Sequence, residues 1–297
     1  MSVATMFERF TVALKLPTSK KTSIANRTAS ITRRLNLTFR SNDSSSSNRF
    51  YGGSYGRATA VDSLSDVDLL CVLPYSTYQQ YDAYASEKQS KLLQAVRSAL
   101  LLTYPNSSIS VDGQIVKIPY VDGITFEIVP VFLNTDGSYT YPDTNNGGSW
   151  RLCKPKHETD TFSQRNRQCN RNLVELGRMV RAWRDANSVR MSGMLIDTLC
   201  WQFIETWAYK DKSFFYYDYL TRDFFKWMSD LDENQTYWRT PGSESFAWKG
   251  GPFHAKARAA HQISLSAIEH LVKSEYWSAS QKYRSIYGNI FSSWTYI

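Results

Sequence analysis

The sequence predicts an α+β fold in two lobes, with a mixed sheet and helices in the N-terminal part and a helical C-terminal part. Three observations lead there. The 297 residues exceed one average domain and fall short of two large ones, which suggests roughly 150 residues per lobe. From Phe50 to about residue 132, short apolar runs alternate with Gly, Pro and Asp, the pattern of strands and turns. Beyond Trp150 the apolar residues recur at helical spacing. We therefore expect residues 1–150 to form one domain, with an N-terminal helix, and residues 151–297 to form a helical second one. Asn145-Asn146-Gly147-Gly148-Ser149 is the expected junction.

Taken in order, residues 24–40 place Ile24, Ile31 and Leu35 on one stripe and Arg27, Arg33, Arg34 and Arg40 mostly elsewhere, an amphipathic helix with a basic face. Residues 41–48, rich in Ser and Asn, read as a flexible loop too polar to pack. Residues 66–73 read as a strand, 81–102 as a helix carrying Leu92, Leu93, Val96 and Leu100, and 114–120 with 124–132 as two strands. Val121-Asp122-Gly123 turns the last two into an antiparallel hairpin. In the second half Leu173, Leu176, Val180 and Trp183 share a helix face, and further helices are expected near 194–209, 214–231 and 255–273.

Composition narrows the function classes. No apolar run approaches the roughly 20 residues of a membrane span, and the first nine residues carry Glu8 and no signal-peptide core, so a cytoplasmic protein without a membrane partner is expected. Cys71, Cys153, Cys169 and Cys200 lie far apart with no C-x-x-C pair, which reads as free thiols. Cys153, His157 and Cys169 could supply three zinc ligands, but a fourth is missing. A net charge of +8 favours polyanionic partners, and nucleotides, nucleic acid and anionic lipid all satisfy it.

Chemistry concentrates in Gly53-Ser54-Tyr55-Gly56-Arg57-Ala58-Thr59 and the following Ser65-Asp66-Val67-Asp68-Leu69-Leu70. Glycines and a serine leaving a strand into a helical start let backbone N–H groups approach phosphate oxygens. Asp66 and Asp68, at the strand period of two, point to one face. Two carboxylates at about 4 Å repel by roughly 4 kcal/mol at an effective dielectric of about 20, so the pair calls for a bound cation. Glu127 stands in the apolar strand Thr125-Phe126-Glu127-Ile128-Val129-Pro130, on the face opposite Ile124, Phe126 and Ile128, where an unpaired charge is costly. Each part has a plainer reading: Asp-x-Asp as a solvated edge strand, and a buried Glu paired with Arg. Together they match a two-metal site for phosphoryl transfer, with Asp66, Asp68 and Glu127 holding two Mg2+ ions, or Mn2+ in their place.

Gly-Ser, a later Asp-x-Asp and a third acid on a following strand resemble the polymerase-β nucleotidyltransferase superfamily. Gly-Ser-Tyr-Gly-Arg-Ala-Thr-Ala-Val with Ser-Asp-Val-Asp-Leu-Leu resembles the bacterial CD-NTases, relatives of cyclic GMP-AMP synthase. The likeness continues through Phe126-Glu127-Ile128-Val129-Pro130-Val131-Phe132, Gly147-Gly148-Ser149-Trp150 and Arg178-Met179-Val180-Arg181-Ala182-Trp183. It implies a bilobed polymerase-β-like fold, with residues 1–150 as catalytic core. It also implies a cyclic oligonucleotide synthase that joins ribonucleoside triphosphates, releases pyrophosphate and serves antiphage (CBASS) signalling through a downstream effector. Gly53 and Ser54 would hold the donor triphosphate. Arg178 stands where the family often has a lysine on the triphosphate, and Ser192 where it has a serine near the donor base. Their plainer readings are a surface arginine and a helix N-cap. The zinc insertion of the animal relative is not recognisable, so a nucleic-acid activator acting through the basic helix is not favoured. Two other functions fit the same carboxylates: nucleotide transfer to an antibiotic, protein or RNA end, and nucleotide sensing without turnover.

Overall fold

The computed structural model describes residues 2–292; Met1 and the last five residues of the expected second domain, 293–297, lie outside the described residues. The chain forms two compact units interleaved in sequence. One comprises Leu16–Gly56 and Ser63–Lys156; the other comprises the residues up to Lys15, Arg57–Asp62 and those from His157 onward.

Helix α1 (Val3–Leu14) starts at Ser2, whose hydroxyl accepts from the Thr5 amide. It buries Met6, Phe7, Phe10 and Leu14, a stripe that joins the aromatic core of the second unit. Phe7 meets Tyr217, Tyr283 and Phe291 edge-on, at 4.9–6.0 Å between ring centres. That burial is why α1 groups with the helical residues and not with the remainder of residues 1–150.

In the first unit, α2 (Thr18–Arg40) follows Pro17 and ends at Ser41 in the left-handed conformation. Its basic face is largely engaged. Arg27 pairs with Asp122 and lies over the Tyr120 ring, Arg33 pairs with Asp43, Arg34 donates to Thr103, and Arg40 donates to the Val72 carbonyl. The 41–48 segment is also anchored, contrary to the expected flexible loop. Buried Asn36 donates to the Ser44 and Ser47 carbonyls and accepts from Asn48.

Strand β1 (Arg49–Tyr51), the single turn α3 (Gly53–Gly56) and β2 (Asp66–Val72) come next. The expected helix over 81–102 is two helices, α4 (Tyr75–Asp82) and α5 (Lys88–Leu101). The break falls where Glu87 takes φ 56° and where Asp82 accepts from Lys88 and from the Trp150 indole. Only α5 carries the apolar stripe of Leu92, Leu93, Val96 and Leu100. Strands β3 (Ser110–Asp112), β4 (Ile115–Pro119), β5 (Thr125–Leu133), β6 (Tyr139–Asp143) and β7 (Ser149–Cys153) complete the sheet.

The strand order is β1-β2-β5-β4-β3, with β6 joined to β5 and β7 to β6. Only the β2–β5 pair is parallel, so the sheet is mixed as expected. Val67, Leu69, Phe126 and Ile128 bury one face in the same core as Ile24, Ile31 and the α5 stripe. The alternate residues of β2 and β5 are left for the other face. The stretch 145–149 is not a junction between units: Asp143 pairs with Ser149 across the β6–β7 hairpin, and the chain leaves this unit after Lys156.

The second unit holds α6 (Pro155–Gln168) from His157 onward, α7 (Asn172–Ala186), α8 (Gly193–Thr206), α9 (Tyr217–Ser229), the hairpin β8 (Tyr237–Arg239) with β9 (Phe246–Trp248), α10 (His254–Val272) and α11 (Tyr276–Tyr287). Leu173, Leu176, Val180 and Trp183 are fully buried on α7, as their spacing predicts. Among the described residues no helix is long and apolar enough to cross a membrane.

Candidate active site

The parallel register places Asp66 beside Thr125 and Asp68 beside Glu127. Residues level with each other on neighbouring strands share a face, so Asp66, Asp68 and Glu127 all stand opposite the buried Val67, Phe126 and Ile128. The loop to α3 closes on this face. The Gly52 amide donates to the Asp68 carbonyl, and the Gly56 amide donates to the Gly52 carbonyl. Gly53 has φ +54°, and a Cβ there would lie 1.7 Å from Asp68 Oδ2. Only glycine brings the start of this turn, with Ser54 next in it, so close to the carboxylate.

Burial raises the Glu127 carboxyl above the ordinary carboxylate range; the Asp68 and Asp66 charges add to this, while Lys117 opposes it. Asp66 is exposed and accepts from the Ser65 hydroxyl at 2.9 Å. The face is thus a set of oxygen donors whose negative charges raise one another's energy, and hard divalent cations such as Mg2+ bind such a set. The fit is one of donor chemistry. Among the described residues no group of three or more His, Cys, Asp or Glu is gathered closely enough to hold a metal ion as the side chains stand. The same holds for Cys153, His157 and Cys169. All four cysteines are free, with the Cys153 thiol donating to the Tyr139 carbonyl and burial pushing the Cys71 thiol up to about 12.

Lys117 belongs to the site, and sequence reasoning missed it. It faces Glu127 across the β4–β5 hairpin, with Nζ 3.9 Å from Glu127 Oε1 and 2.9 Å from Asp112 Oδ2. The signal was present. The paired positions 117/127 and 119/125 are symmetric about Asp122, so the predicted turn already set Lys117 opposite Glu127.

Arg178 and Ser192 lie in the other compact unit. Arg178 is mostly buried, donates to Glu175 Oε1 at 3.1 Å and to the Ala58 carbonyl at 2.7 Å, and keeps a buried Nε without a hydrogen-bond partner. It is no solvated surface arginine: it fastens a residue held at φ 60°. Ser192 is the N-cap of α8, its hydroxyl accepting from the Leu195 amide at 3.1 Å.

In the same unit, Asp197 is buried with two arginines. Arg57 Nε donates to it at 2.8 Å, Arg181 at 2.7 and 2.9 Å, and Thr59 Oγ1 at 3.0 Å. Burial alone would push this carboxyl up, but the Arg181 and Arg57 guanidiniums outweigh it and hold it below the ordinary range. Asp197 therefore anchors the short segment Arg57–Asp62 among the helices.

Comparison with known proteins gives a consistent picture. Residues 1–166 match the Second Messenger Oligonucleotide or Dinucleotide Synthetase (SMODS) domain family. A probable cyclic nucleotide synthase of Bacillus cereus (strain VD146) is 23% identical over 185 residues, which cover 53% of this chain and only 56% of that protein's length. The structure of Escherichia coli MS115-1 CdnC with ATP superposes with a TM-score of 0.69 at 14% identity, over 97% of this chain and 98% of that one. Vibrio cholerae DncV, a cyclic AMP-GMP synthase in complex with the linear intermediate pppA(3′,5′)pG, gives a TM-score of 0.64 at 15% identity, over 98% and 87% of the two chains. At these identities the structural likeness establishes the shared α+β fold.

Proposed function

This chain belongs to the Second Messenger Oligonucleotide or Dinucleotide Synthetase family, and on that premise we propose that it joins ribonucleoside triphosphates into a short cyclic oligonucleotide with release of pyrophosphate. The observation that carries the reading is the β2–β5 register, which sets Asp68 beside Glu127 with Asp66 on the same face and Gly53 against Asp68.

Asp66, Asp68 and Glu127 would hold two magnesium ions, or manganese in their place. Bound there, divalent cations neutralise triphosphate charge and ease loss of the acceptor hydroxyl's proton. Gly53 and Ser54 bind the donor triphosphate, Gly53 by letting the turn close on the Asp68 carboxylate and Ser54 through its amide and hydroxyl. Asp68 sits between Gly53 and Glu127 and so serves both the donor side and the acceptor side. Glu127 lies on the acceptor side, where the 3′ or 2′ hydroxyl attacks the α-phosphate and pyrophosphate leaves. A second attack within the linear product closes the ring. Arg178 is assigned to the triphosphate and Ser192 to the donor base. Arg178 uses two of its five N–H donors on Glu175 and the Ala58 carbonyl, and Ser192 can cap α8 and still donate its hydroxyl proton.

We assign catalysis to the carboxylate-bearing sheet within residues 1–150 and a supporting role to the helices of 151–297. The setting proposed is cytoplasmic antiphage (CBASS) signalling, with a downstream effector that responds to the cyclic product. The engagement of Arg27, Arg33, Arg34 and Arg40 within the fold weighs against a nucleic-acid activator seated on α2.

Incubation with labelled ribonucleotides, Mg2+ and no other acceptor should release pyrophosphate. Release only after an antibiotic, protein or RNA is added would select transfer to that acceptor; nucleotide binding without release would select a sensor. Gly53→Ala should lower turnover about a hundredfold in this assay, because the new methyl displaces the Asp68 carboxylate. Glu127→Gln should bind a nonhydrolysable donor nearly as well as the parent and transfer poorly. Calorimetry beside pyrophosphate kinetics checks this, and a large affinity loss with little change in turnover would move Glu127 to the donor side.

A further inference from the structure

We propose that Lys117 is the resident counter-charge of the acidic face, a positioning residue with which an incoming divalent cation competes and whose reach Asp112 limits. This rests on the metal-binding reading of Asp66, Asp68 and Glu127.

The hairpin turned at 121–123 sets Lys117 level with Glu127 on the neighbouring strand. Its ammonium stands 3.9 Å from Glu127 Oε1, within ion-pair reach, but makes its hydrogen bond to Asp112 Oδ2 at 2.9 Å. Asp112 lies on β3, the edge strand beyond β4. Its side chain is 69% exposed, against 32% for Lys117 and 26% for Glu127. The lysine thus leans from a half-buried carboxylate toward an exposed one. A lysine is a compact point charge on a flexible four-carbon stem, so it can shift between the two without disturbing the strand. Near Glu127 its charge offsets the repulsion among three carboxylates. A divalent cation bound by those carboxylates would meet that same charge as a like-charge neighbour, which opposes its entry.

The two residues should therefore act on metal affinity with opposite signs. Lys117→Met removes the competitor and should tighten Mn2+ binding to the nucleotide-free protein about three- to fivefold, the scale expected of a partly exposed charge pair. Asp112→Asn leaves Lys117 with Glu127 as its nearest carboxylate and should weaken Mn2+ binding by a similar factor. The double variant should resemble Lys117→Met, and Lys117→Arg, which keeps the charge, should resemble the parent. Both positions are partly exposed, folding is checked by melting temperature, and the readout is free Mn2+ by electron paramagnetic resonance at low ionic strength.

Opposite shifts in the two single variants support the proposal. Lys117→Met binding as the parent does, or more weakly, overturns it while leaving the metal site intact. If the parent itself holds no more Mn2+ than Asp68→Asn, the metal-binding reading fails, and the role of Lys117 falls with it.

Discussion

Asp68→Asn should leave the protein folded and lower turnover by about three orders of magnitude or more. The side chain keeps its shape but loses the charge that faces Glu127 on the next strand and lies against Gly53. The same substitution removes one of the charges that raise the Glu127 carboxyl. In the absence of divalent cation the variant should therefore melt at or above the parent's temperature, and Mg2+ should stabilise it less than it stabilises the parent. Pyrophosphate release measured beside thermal melting with and without Mg2+ checks both halves. Near-parent turnover would remove Asp68 from the site.

Asp197→Asn should cost about 3–5 kcal/mol of stability, because it leaves the buried Arg181 guanidinium without its counter-charge and Arg57 with only Glu158, 4.0 Å away. Arg57 and Arg181 are 5% and 3% exposed, so water cannot replace the lost carboxylate. The effect has a defined pH dependence. The folded-state carboxyl is held below its unfolded value, so its contribution is fully present above an unfolded pKa of about 3.9 and is lost as pH falls through the lower folded value. Denaturant midpoints of parent and variant should accordingly stay far apart from neutral pH downward and converge only below about pH 4. A gap that closed near pH 6 would mean that another group is responsible.

The sequence made the acidic face legible for a simple reason: strand alternation is local. Asp-x-Asp and the charged residue inside Phe126-Glu127-Ile128 fix which way three side chains point, and the structure places all three on one face. The α7 stripe was legible on the same ground, because Leu173, Leu176, Val180 and Trp183 need only helical spacing to be recognised.

What escaped depends on distant partners. Nothing local in residues 2–15 says that Phe7 and Phe10 pack with Tyr283, Tyr287 and Phe291, so the grouping of α1 with the helical unit could not be read. The polar run 41–48 looks mobile until Asn36 is seen to bind three of its backbone and side-chain groups. Strand β6, with Pro142 inside it, carries a loop-like sequence and is held by pairing with β5 and β7. Arg178 shows the same limit at the site. The sequence offers either a triphosphate contact or a solvated surface residue, and the structure shows its guanidinium fastened to Ala58 and Glu175. Lys117 is the opposite case, since the hairpin symmetry that reveals it was already present in the predicted turn.

The most direct test of the account is the identity of the product. A site that forms phosphodiester bonds explains joining but not closure, and closure becomes favoured when the linear intermediate is held in place, an intramolecular advantage of up to about 7–11 kcal/mol in well-oriented systems. The reaction of all four ribonucleoside triphosphates with Mg2+ should be digested with alkaline phosphatase and analysed by chromatography and mass spectrometry. The expected result is a surviving ribonucleotide species whose mass corresponds to a ring without terminal phosphate. Pyrophosphate release accompanied only by nucleosides and dephosphorylated linear oligonucleotides would contradict it.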